Sequence, residues 1–208
     1  MKGFVIISFY SLVVYFVNFV LIDIEDLVFR QFASQGLELP ENVVLAAIES
    51  FKYWNKFSVI FTFLLFALKG FTVSLILYMG LFFADLHRSF RLTSFFLIAI
   101  YAECILVIAG LVKIIVLSAG DLSYDSLVSY YPLSITNFLD YKQIDRLFLY
   151  PLQLVNVFEF VYVFLLVYFL KEEIEISFTK SLKIVLSSYG TAMICWVVLI
   201  MFFTLNFT

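Results

Sequence analysis

The chain has 208 residues, 64% of them apolar and only 14% charged, with a formal net charge of −3 and a mean hydropathy of +1.06. A soluble domain is closer to half apolar and a quarter charged. A fold of this size cannot hide so large an apolar surplus in its core, so the surplus must face lipid. The acidic balance excludes nucleic acid as a partner, because phosphates demand a basic stripe. Cys104 and Cys195 both stand inside apolar runs and His87 is the only histidine, which leaves no expected disulfide, metal or cofactor site.

In chain order, the first apolar run is Gly3 to Ile22, between Lys2 and the acidic Asp23, Glu25 and Asp26. It is too long for a signal-peptide core and reads as a retained signal anchor. Glu41 to Trp54 follows, with Val44, Ala47, Ile48, Phe51 and Trp54 at helical spacing. That pattern predicts an amphipathic helix lying at the membrane interface.

The second run, Phe57 to Ala84, is interrupted only by Lys69-Gly70. It exceeds the hydrocarbon thickness, so it must tilt, protrude or break at that pair. Ser94 to Leu117 is the third run and carries Glu103 and Lys113. A loop rich in tyrosine (Tyr124, Tyr130, Tyr131, Tyr141, Tyr150) suits the membrane–water boundary. The fourth run is Pro151 to Leu170, with Glu159 near its middle, and the fifth is Leu182 to Leu205.

The expected fold is therefore an all-α transmembrane helix bundle forming a single transmembrane domain over 1–208. Its spans would be about 3–22, 57–84, 94–117, 151–170 and 182–205, with interfacial helices in the two outer loops. Lys2, Arg88, Arg91, Lys171, Lys180 and Lys183 fall on one side of this arrangement, which places the N-terminus in the cytoplasm and the C-terminus outside. Absence of any internal repeat removes the sequence support for an inverted-repeat transporter.

Lys69, Glu103 and Glu159 form an expected midplane charge cluster. A lone charge at the bilayer centre costs about 2.5–3.5 kcal/mol on insertion scales, so Lys69 should pair with one of the two carboxylates. The cluster either pins helix register or carries protons or a cation. Lys113 is near enough to its span end to snorkel. Arg88 and Arg91, in the short loop around His87, are a possible headgroup or phosphate contact, although positive-inside bias alone explains them. No Ser–His pair, histidine ligand set or pair of membrane aspartates is present, so no catalytic residue is expected.

From Tyr131 to Phe203 the chain resembles the Yip-domain family, five-span membrane proteins related to Golgi Rab-interacting factors. Leu149-Tyr150-Pro151-Leu152 leads into a span with Val157-Phe158-Glu159-Phe160, and Ile176 to Leu182 makes a short basic hinge before the last span. The resemblance implies a five-span layout with two closing helices. The Asp-Leu-Tyr-Gly-Pro-type motif of eukaryotic members is missing, so Rab binding is not implied. Two functions follow as expectations: a non-catalytic scaffold or accessory subunit partnered by the lipid bilayer and other membrane subunits, or a small proton- or ion-linked transporter.

Overall fold

The computed structural model describes residues 2–22, 27, 41–86, 90–120, 123–139 and 144–207. Those residues are helical apart from loops and one isolated bridge, Ser134 with Asn156. Helix α1 is Lys2–Leu21, α2 is Glu41–Asn55, α3 is Ser58–Phe83 and α4 is Leu92–Ala119. The short α5 (Tyr124–Ser129) and a 3₁₀ turn (Ile135–Phe138) precede α6 (Arg146–Leu154) and α7 (Val157–Ile174). The chain closes with α8 (Phe178–Val185), a π-helical turn (Leu186–Gly190) and α9 (Thr191–Phe207).

Among the described residues, three helical stretches are long and apolar enough to cross a membrane: Ser58–Phe83, Leu92–Ala119 and Phe178–Asn206. The N-terminal apolar helix is shorter. Helix α7 differs in kind, because only the 11 residues Phe160–Leu170 separate Glu159 from Lys171, fewer than the roughly 17 a span requires.

The core forms where α3, α4, α7 and α8 bring their apolar stripes together. Val73, Leu77 and Leu81 of α3 meet Phe95, Ile98, Ala99 and Ala102 of α4. Tyr162, Leu166, Val167 and Leu170 of α7 complete the cluster, with Ile184 and Val185 of α8. The α3, α4 and α7 sets recur at three or four residues, the spacing of one helix face. Helix α1 packs on α3 and α4 through Phe4, which lies 6.3 Å from the Phe63 ring and 6.0 Å from the Phe96 ring.

Small residues set how closely the helices approach. A Cβ at Gly70 would come within 2.5 Å of Ile100 Cδ1. Helix α3 runs unbroken through Lys69-Gly70, and the glycine serves close packing against α4, as small residues commonly do between membrane helices. Ser181, fully buried, donates to the Val167 carbonyl oxygen at 2.7 Å and ties α8 to α7.

The Pro151–Leu170 run is split. Pro151 lies inside α6, not at the start of the long helix, and α6 ends at Leu154. Val157 N–H donates to the Leu133 carbonyl at 3.3 Å, and Ile135 N–H donates to that of Val155 at 3.1 Å. These bonds to the preceding loop give the backbone at the break partners outside any helix. Asn156 then caps α7, its side-chain oxygen accepting from Glu159 N–H at 2.8 Å.

Of the loop helices read from sequence, the first is present as α2, with Val44, Ala47 and Ile48 half-buried and Phe51 and Trp54 exposed. In the second loop, Tyr150 accepts a 2.7 Å hydrogen bond from Trp196 Nε1 of α9, and Tyr141 lies outside the described residues.

Candidate functional site

Successive contacts between polar side chains inside the bundle link four elements. Lys69, from the middle of α3, donates to Glu103 Oε1 of α4 at 2.7 Å. Glu103 is 4% exposed, so its charge depends on that partner. Lys69 also stands 5.3 Å from the centroid of the Tyr162 ring of α7, a cation–π distance. The Tyr162 ring lies 5.6 Å from that of Tyr189, and Tyr189 donates to Glu159 Oε1 at 2.9 Å.

Of the three expected midplane charges, the structure joins Lys69 to Glu103 directly. Glu159 reaches the pair only through two tyrosine rings. It stands in the first turn of α7, beside the Asn156 cap, not near the middle of a helix as the run of apolar residues had implied. Asymmetric exposure marks the Lys69–Glu103 pair: the lysine side chain is 41% exposed, its carboxylate partner 6%.

Tyr189 lies in the π-helical turn, a conformation that often accompanies function. Alongside it, a Cβ at Gly80 of α3 would meet Ser188 Cβ at 2.7 Å. The buried Tyr162 hydroxyl has no hydrogen-bond partner among the described residues. Sequence reading passed over both tyrosines. Tyr162 had a signal, since it follows Glu159 by three residues on the same helical face. Tyr189 had none, because its contact with Glu159 bridges 30 positions.

Near Glu159, Lys113 of α4 stands 5.1 Å from the centroid of the Tyr131 ring. Burial first, and the Glu159 carboxylate second, hold the Tyr131 hydroxyl above the usual tyrosine range, so it remains a neutral donor. Arg91 is the exposed residue preceding α4, with no side-chain capping bond, while Arg88 and His87 lie outside the described residues. Cys104 is half-buried and Cys195 exposed, both as free thiols. Among the described residues no three His, Cys, Asp or Glu side chains gather as a metal set. Comparison with protein-family models, curated proteins and solved structures gives no match for this chain.

Proposed function

We propose that the chain is a five-span integral membrane protein, N-terminus in the cytoplasm and C-terminus outside, that serves as a non-catalytic subunit or scaffold of a larger membrane assembly. Lys69 carries this reading. Its side chain is 41% exposed at the middle of a 26-residue apolar helix. Charged groups inside membranes almost always face protein or water, because lipid cannot solvate them. A partner seated over α3 would cover the lysine while Glu103 neutralises it from within. The neighbouring exposed Leu65, Leu68 and Phe71 would give that partner an apolar contact surface. The five spans of this reading are α1, α3, α4, the α6–α7 segment and the last helical run. Likeness to the Yip layout adds the same number of spans but no partner.

Purification of the tagged native chain in mild detergent, with mass spectrometry of co-purifying proteins, tests the reading. A stoichiometric partner, retained by the native chain and lost from a folded Lys69→Met/Glu103→Leu variant, is the expected result. A clean monomer from native membranes would overturn it. A second reading, a proton- or ion-linked transporter, draws on the Glu159–Tyr189 contact at the π-helical turn. It requires ion flux in reconstituted vesicles that Glu159→Gln abolishes without loss of folding.

A further inference from the structure

Two cavities adjoin at Leu154 and Glu159, and their chemistry differs. The first, of about 140 Å³, lies between α4 and the loop over the α6–α7 break, and brings Lys113, Tyr131, Asn156 and Glu159 into one lining. The second, of about 360 Å³, is a groove between α7 and α9. Its wall is largely apolar, with Phe160, Val163, Met193 and Val197 among its residues, and Glu159 and Tyr189 are its polar members. Its size falls in the range of small-molecule sites.

Lys113 and Glu159 bring opposite charges to the polar cavity without pairing. Ion pairs within 4.0 Å among the described residues are Lys69–Glu103 and Lys171–Glu172. Neither charge therefore has an oppositely charged group at contact distance among the described residues, although Tyr189 donates to Glu159 and the Tyr131 ring faces Lys113. A ligand answering both carries an anion and a cation a few ångströms apart. One answering the adjoining groove as well carries an apolar chain.

We propose that the paired cavities bind one zwitterionic phospholipid with a primary ammonium head. Its phosphate meets Lys113, its ammonium meets Glu159, and one acyl chain lies in the α7–α9 groove. A primary ammonium suits Glu159 because it supplies N–H donors to a carboxylate. A quaternary ammonium would look for an open aromatic face, and Lys113 already occupies that of Tyr131. The neutral Tyr131 hydroxyl, lining the same cavity, supplies a further donor for phosphate oxygens. A helix from another protein would fill the groove but leave both charges uncompensated. The proposal rests on these helices lying in a bilayer, and is independent of whether a partner covers Lys69.

The test uses the full chain, delipidated in mild detergent, titrated with phosphatidylethanolamine and with phosphatidylglycerol of matched acyl chains. Native mass spectrometry and thermal melting are the readouts. One retained phosphatidylethanolamine per chain is expected, with a rise in Tm that phosphatidylglycerol does not match. Lys113→Gln and Glu159→Gln should each weaken retention about tenfold, the size of one lost charge-assisted contact. Ile194→Trp, which fills the groove from an exposed position, should weaken it while folding is kept. If Glu159→Gln fails to fold through loss of the Tyr189 contact, Lys113→Gln and Ile194→Trp decide the matter. Equal retention of the two lipids, or retention unchanged in Lys113→Gln and Ile194→Trp, would overturn the proposal. A full Tm rise with chain-free glycerophosphoethanolamine would also overturn it and assign the polar cavity to a soluble zwitterion. Release of the chain from membranes by alkaline carbonate would instead sink the membrane reading beneath it.

Discussion

Gly80 of α3 and Ser188 of the π-helical turn are in contact so close that a Cβ on the glycine would lie 2.7 Å from Ser188 Cβ and 2.8 Å from its Oγ. Ser188 cannot easily yield, because its hydroxyl donates to the Ile184 carbonyl at 2.7 Å. This contact seats the turn against α3, and the turn carries Tyr189 to Glu159.

Gly80→Ala should therefore destabilise by about 1–3 kcal/mol, the usual cost of an overpacked contact. Gly110→Ala is the control, since a Cβ there meets nothing within 4 Å. Removing glycine from a helix interior should make that variant neutral or more stable by up to about 1 kcal/mol. Thermal melts of the two variants in the same detergent check the contrast. Equal melts would mean that α3 and the turn do not approach this closely.

Lys69→Ala strands Glu103 as a buried carboxylate without its 2.7 Å partner. Loss of one member of a buried pair costs about 3–5 kcal/mol, and the partial exposure of Lys69 places the expected value near about 3. Adding Glu103→Gln to Lys69→Ala should recover part of that loss by removing the orphaned charge. Expression yield and Tm of the single and double variants measure it. A double variant no better than Lys69→Ala would show that the pair is not what holds α3 to α4.

Asn156 joins two structures at the α6–α7 break. Its oxygen caps α7 through Glu159 N–H, and its Nδ2 donates to the Gln153 carbonyl at 2.8 Å. Asn156→Ala should cost about 1–2 kcal/mol through the lost cap. Asn156→Asp keeps the acceptor and loses the donor, so it should fall between Asn156→Ala and the native chain. Tm values in detergent give the order, and an Asn156→Asp variant as weak as Asn156→Ala would locate the effect in the donor side.

How far the charged site could be read from sequence depends on which partners lie on a single helix face or in a recognisable run. Lys69 and Glu103 interrupt long apolar runs, so their need for partners was evident, and with only two carboxylates offered the pairing was confined to two choices. Arrangement around Glu159 was not evident. Its place in a first turn follows from the break at Leu154 to Asn156, and no proline or glycine stands at those positions to announce it. Pro151, the first residue of the apolar run, lies inside α6, six residues before α7 begins at Val157.

The sequence by itself determined the all-helical character, the long apolar stretches and the isolation of a few charges among them. Those properties depend on hydropathy and on a repeat of about 3.6 residues, both local to a run of chain. Tertiary structure alone decided where the fourth run is cut, because the backbone there bonds to Leu133 and Ile135, some 20 residues earlier. It alone brought Tyr189 to Glu159 and set Lys113 and Glu159 across one cavity. Each of these contacts joins segments whose separation along the chain has no period, so nothing in the order of residues records it.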